Sequence, residues 1–200
     1  MADIAIANGV KEARYYGLRM TAEEYFALED DGVRYELVDG VVCMSPSPSP
    51  RHQALILEIT TPLGIYLRSS SVGRAFPELD VHLGQTSAGT DLVYRPDIVF
   101  IRSERLSEIG DHISGPPDMV AEIISGSSRR YDSETKKDDY ERCGVREYWL
   151  IDPEREAMTF YRLQDGKFAE VPASDNHFTS EAVPGFTLDL PRVRETFKPW

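Results

Sequence analysis

The sequence predicts a mixed α/β (α+β) fold from three observations: two Asp-Gly pairs between β-rich stretches, two short apolar runs that each enclose one acid, and segments with helix-start chemistry. Asp39-Gly40 separates residues 33–38 from 41–44, and Asp165-Gly166 separates residues 157–163 from 167–171. Asp-Gly readily takes positive φ at both central positions of a type I′ turn, whose twist matches that of the flanking strands. Both stretches are therefore expected to be hairpins. Residues 94–101 and 119–124 are apolar runs of the kind buried strands carry, and belong centrally in a sheet.

The remaining elements follow in order. Residues 1–19 show no clear period and read as a leader, with residues 20–200 as one domain. Thr21 followed by Glu24 forms a capping-box pattern, which predicts a helix over 20–29. Residues 45–50 alternate serine with proline, a stiff connector into a helix over 51–68 that Pro62 could kink. Residues 72–83 hold a strand or two. Asp132 caps a helix that stops at Gly144, residues 147–151 form a further strand, and residues 186–190 a last edge element.

Composition narrows the function. Hydrophobic residues make up 41% of the 200, a globular value, and no stretch approaches the roughly 20 apolar residues of a membrane-spanning helix. Without a signal-peptide pattern, the chain is expected in the cytoplasm, with Cys43 and Cys143 reduced. The net charge of -12 opposes nucleic-acid binding, since phosphate contacts supply most nonspecific affinity. Between residues 125 and 146, however, Arg129, Arg130, Lys136, Lys137, Arg142 and Arg146 face only five acids. That segment is where a phosphate is expected to approach.

Two acids carry the chemistry. Strand alternation puts Asp97 on the face of Val99 and Ile101, and Glu122 on that of Val120 and Ile124. An isolated charge there is costly, and one divalent cation would stabilise both acids. Few carboxylates completed by water and phosphate suit Mg²⁺ or Mn²⁺. The alternative for each acid is an arginine partner or a backbone amide at a strand end. On a helix from Asp132, Lys136 shares a side with Tyr140, which points at the core, while Lys137 turns away. Lys136 is then either an ammonium beside the acids or an ordinary surface lysine. Glu36 either joins the site or pairs with a base such as Arg34, and His52, at a helix start, either touches substrate or is solvated. The histidines at 52, 82, 112 and 177 have no zinc spacing, and no nucleophile elbow, phosphate loop or dinucleotide fingerprint occurs.

Taken together, an ordered set stands out: the Tyr-Glu-Leu-Val-Asp-Gly hairpin from Tyr35, Ser45-Pro46, His52, Arg95-Pro96-Asp97, Ala-Glu-Ile-Ile-Ser from Ala121, Asp132 with Lys136 and Tyr140, Gly144-Val145, Glu147-Tyr148-Trp149 and Asp152-Pro153. It resembles the Uma-two family of restriction endonucleases, within the PD-(D/E)XK nucleases, over about residues 20–190. The resemblance implies a restriction-endonuclease-like core, a mixed central sheet flanked by helices. It implies a metal-dependent endonuclease using Mg²⁺ or Mn²⁺, with Asp97, Glu122 and the Ile123 carbonyl as ligands and Lys136 and Glu36 assisting catalysis. Nucleic acid, DNA first, is the implied partner, met by His52, Arg129, Arg130 and Tyr140. One departure matters: the parent pattern has a lysine two positions after the acid, where this chain has Ile124, and Lys136 matches the relocated lysine of the Uma-two pattern. Exposed strand edges at 157–171 and 186–190 are expected to support a homodimer, which suits cutting both strands of a duplex. The rival readings are a non-catalytic nucleic-acid-binding or assembly module, which the acidic charge favours, and a hydrolase of small phosphodiesters.

Overall fold

The computed structural model describes residues 13–45, 47–125 and 130–198. The capping box forms as expected: Thr21 Oγ1 accepts from Glu24 N and the Glu24 carboxylate accepts from Thr21 N, starting the short helix α1 (Ala22–Phe26). The first hairpin follows, β1 (Tyr35–Val38) and β2 (Val41–Met44), with Asp39 and Gly40 at φ 51° and 72°. Residues 13–19 run beside β2, where Gly17 N donates to Val42 O. Helix α2 (Pro50–Ser69) is capped by Ser49 and continues through Pro62.

The next four strands are β3 (Gly73–Pro77), β4 (Val81–Gln85), β5 (Asp91–Tyr94) and β6 (Ile98–Arg102). The expected single strand over 94–101 is thus two, in different sheets, because Pro96 cannot donate to a ladder and the chain turns at Arg95-Pro96-Asp97. Strands β7 (Ile113–Ser114) and β8 (Met119–Ile123) precede a wide π-helical turn (Tyr131–Lys136) that runs into α3 (Lys137–Cys143), ended by Gly144 at φ 91°. Asp132 lies inside that turn and not at its cap, since the helical conformation already begins at Arg130. Strand β9 (Glu147–Asp152) leads to the second hairpin, β10 (Ala157–Gln164) and β11 (Lys167–Glu170), again turning on positive-φ Asp165 and Gly166. Strands β12 (His177–Thr179) and β13 (Thr187–Asp189) pair as a two-stranded ribbon before α4 (Leu190–Glu195).

The larger sheet runs β11-β10-β9-β8-β6-β3 and is mixed, with β8 and β9 parallel. The smaller runs β2-β1-β5-β4-β7. Strand alternation divides the core. Ile98, Phe100 and Ala121 face α2 through Leu55, Ile59 and Leu63, while Val99, Val120 and Tyr148 face Tyr140 of α3 and Leu92 and Tyr94 of the smaller sheet. Each fully buried leucine contributes about 1.5–3 kcal/mol by leaving water, so α2 is held firmly along one face. The seam between the two sheets, roofed by the helix from Tyr131, is where the acids meet. Among the described residues no helix is long and apolar enough to cross a membrane.

Candidate active site

Four carboxylates and one ammonium gather at that seam. Glu36 projects from β1, Asp97 from the joint before β6, Glu122 from β8 and Asp132 from the π-helical turn, all lining a cavity of about 70 Å³ with Lys136, His52 and Ile123. Lys136 Nζ lies 2.9 Å from Glu36 Oε1, donates to Glu122 Oε1 at 3.1 Å and stands 3.8 Å from Asp132 Oδ1. Tyr94 and Tyr131 offer their ring faces to the same ammonium at 5.2 and 5.4 Å. The expected face-sharing of Lys136 and Tyr140 is what aligns them: Tyr140 Oη also donates to Glu122 Oε1, at 2.7 Å. Lys137 turns away onto the Tyr161 ring.

Asp97 is anchored differently. Its Oδ2 accepts from the Ile123 amide at 2.6 Å, and its Oδ1 lies 3.1 Å from His52 Nε2 at the start of α2. The backbone-amide alternative is therefore realised, though beside Glu122 and not away from it. Glu36 joins the acids and does not pair with Arg34, which makes a bidentate pair with Glu78; Glu36 Oε1 also accepts from Arg95 N at 3.1 Å.

Burial sets the charge states. Removal from water pushes the Glu122 carboxyl above its ordinary range, and Asp97, Asp132 and Glu36 add to the rise against the opposing Lys136. Burial alone would lower Lys136, but Glu122, Glu36 and Asp132 outweigh it and hold the ammonium well above its usual pKa. The two upward shifts are compatible because one ammonium cannot neutralise four carboxylates: Lys136 keeps its proton while Glu122 takes one more readily. Burial likewise opposes protonation of His52, and the Asp97 carboxylate more than offsets it.

The donor types suit a hard divalent cation: carboxylate oxygens from Asp97 and Glu122, beside the Ile123 main chain whose amide donates to Asp97. Among the described residues no three His, Cys, Asp or Glu side chains stand together in ligand geometry, so water and substrate oxygens would complete the sphere. That is the usual manner of Mg²⁺, which keeps several waters and takes one or two carboxylates.

Other expected contacts fall elsewhere. Tyr140 is fully buried and serves Glu122, so it does not face the open side of the cavity. Arg130 is exposed beside Glu134 and does not line the cavity. Arg129 and Pro46 lie outside the described residues. Sequence reasoning gave Asp132 only a capping role and missed the Arg95–Asp80 pair at the rim. The spacing of Asp132 from Lys136, four residues on a helix, was the available signal for the first; nothing local marks the second.

Comparison with known proteins now bears on this geometry. The model of the Uma2 family, described as "Putative restriction endonuclease", matches residues 22–191. The chain belongs to the Uma2 family. The Uma2 match contains the whole acid cluster and the Lys136 helix. A crystal structure from Anabaena variabilis ATCC 29413, titled as a putative nuclease belonging to DUF820, is 21% identical, covers 90% of this chain and 99% of its own, and superposes with a TM-score of 0.75. At that identity it establishes the shared fold. No curated protein matches.

Proposed function

We propose that this Uma2 protein is a divalent-metal-dependent nuclease hydrolysing phosphodiester bonds of nucleic acid, DNA in preference to RNA. The observation that carries the reading is the meeting of Asp97, Glu122 and Lys136, distant in the chain, around one cavity inside the matched span. Asp97, Glu122 and the Ile123 carbonyl would hold Mg²⁺ or Mn²⁺. When bound, such an ion supplies Lewis-acid polarisation of a phosphoryl oxygen. Lys136, kept charged by its acid neighbours, donates to the oxygen on which negative charge develops. Glu36, fixed by the Arg95 amide, accepts from and orients the attacking water. His52 keeps Asp97 in place at the cavity wall, and Arg130 reaches the strand from outside it. A homodimer, checked by light scattering, would bring two such sites to a duplex.

The test is incubation of wild type, Asp97→Ala and Lys136→Ala with Mg²⁺ and a panel of DNA, RNA and small phosphodiesters. Metal-dependent cleavage by wild type, absent in both folded variants, supports the reading; turnover unchanged by either substitution defeats it. A second reading is a nuclease fold that binds without cutting, favoured by Lys136 already standing between Glu36 and Glu122 where a cation would neutralise them. Mn²⁺ binding insensitive to Glu122→Gln would favour that reading.

A further inference from the structure

A cavity walled by four carboxylates repels the phosphate that a nuclease must take, so cations on its own wall have to receive the strand. Lys136 is buried among the acids, whereas Arg34 and Arg95 stand on the same wall with side chains 37% and 29% exposed. They arrive there together because β1 and β5 pair antiparallel with Leu37 opposite Val93. That register brings the residue before β1 and the residue after β5 to one end of the smaller sheet.

Each guanidinium is gripped along one edge by an acid of the turn between β3 and β4. Glu78 makes a two-point pair with Nη1 and Nη2 of Arg34, and Asp80 takes Nε and Nη2 of Arg95 at 2.7 and 2.8 Å. The turn is fixed in its own right to the joint that carries Asp97. Glu78 holds a left-handed φ of 51°, uncommon for a residue other than glycine, and its N–H donates to Asp97 O at 3.1 Å. A guanidinium has more N–H groups than one carboxylate can take. Among the described residues Arg34 Nε and Arg95 Nη1 make no hydrogen bond, so each fork keeps donors for a second anion. Because the acids have already ordered both side chains, taking up that anion costs little further rotamer freedom.

We propose that Arg34 and Arg95 form a two-pronged phosphate clamp, braced by Glu78 and Asp80, that holds phosphates of the substrate strand at the open side of the acidic cavity. Arginine forks match phosphate oxygens at two points, and placing two of them at one cavity lets an acidic protein take an anionic strand. That the clamped strand is the one to be cut rests on the nuclease reading; the clamp is tested by binding alone.

Binding of a fluorescein-labelled DNA duplex to the full chain in EDTA is followed by polarisation from about 50 to 200 mM salt. Arg34→Gln/Glu78→Gln and Arg95→Gln/Asp80→Asn remove both partners of a pair, so that no charge is orphaned and the net charge is kept. Glu78→Gln alone breaks the first pair from its acid side, and Arg68→Gln removes a charge in the last turn of α2. Each double variant should bind on the order of tenfold more weakly with the salt slope lowered by about 1, while Glu78→Gln and Arg68→Gln keep the wild-type slope. A loss in Glu78→Gln equal to that in its double variant would show that the pair only holds the fold, and would overturn the clamp. So would absent or salt-independent binding by wild type, or wild-type affinity and slope in both double variants. Where a double variant does not fold, Arg34→Lys, which keeps the charge but not the fork, carries the test: several-fold weaker binding supports the clamp and wild-type affinity removes it. Should the double variants lose binding while no form cleaves with Mg²⁺, the clamp stands and the nuclease reading falls. Cleavage by the double variants at wild-type KM would leave the nuclease reading and remove the clamp.

Discussion

The Tyr140 hydroxyl donates to Glu122 Oε1 across 2.7 Å, on the same oxygen that Lys136 holds at 3.1 Å. Both donors converge on one oxygen of a nearly inaccessible carboxylate, which fixes its rotamer and, among the described residues, leaves Oε2 without a hydrogen bond. If Glu122 takes a divalent ion, as proposed, its second oxygen is the one left to meet it.

Tyr140→Phe removes one donor without changing ring packing. Outer hydrogen-bond partners of metal ligands typically cost 10–100-fold in affinity or activity when lost, so Mn²⁺ affinity by titration calorimetry should drop by about that factor. Stability should fall by only about 1–2 kcal/mol in urea unfolding. An unchanged metal affinity would mean that Glu122 is not oriented by this bond.

Lys136→Met leaves Glu36 and Glu122 buried without their ammonium. Removing one partner of a buried pair costs about 3–5 kcal/mol, visible as a lower urea midpoint in EDTA. If Asp97 and Glu122 bind a divalent ion, Mn²⁺ should recover more stability in this variant than in wild type, because the ion restores the missing positive charge. Equal Mn²⁺ effects on the two proteins would argue against a cation at this place.

Asp91 ties α1 to the smaller sheet: its Oδ2 accepts from Ala22 N at 2.9 Å and its Oδ1 lies 3.2 Å from His82 Nε2. The Ala22 amide, with His82 behind it, outweighs burial and lowers the Asp91 pKa. A lowered folded pKa gives stability that is fully present above the unfolded value, about 3.9, and is lost as pH falls through the folded one. Asp91→Asn should therefore be less stable than wild type at neutral pH, with the gap in urea midpoint closing below about pH 4. A gap that stays constant on acidification would show that the carboxylate charge is not what holds α1.

Gly73 lies against Arg102 across the β3–β6 ladder, where an added Cβ would overlap the Ile101 carbonyl and stand 2.5 Å from the Phe100 ring. Gly73→Ala should cost about 1–3 kcal/mol, seen as a lower melting temperature. Retention of the wild-type melting temperature would mean that β3 yields at little cost.

Local chemistry made much of this molecule legible in advance. The two hairpins follow from Asp-Gly turns, α1 from the Thr21–Glu24 capping box and the end of α3 from Gly144, because each is decided by φ preferences and hydrogen bonds within a few residues. The placement of Glu122 with Val120, and of Lys136 with Tyr140, was readable because helix and strand periods fix which side chains share a face. What only the tertiary structure decided is which faces meet. His52 and Asp97 are 45 residues apart and touch because α2 docks along β6 and β8, and Asp132 reaches the acid cluster with Lys136 because the helix from Tyr131 packs over the seam. The splitting of residues 94–101 between two sheets, which carries Asp97 to the seam, likewise depends on how two sheets pack. Short-range preferences reach a few residues along the chain. A buried ammonium among four carboxylates is assembled by long-range packing, and only there does its electrostatics exist.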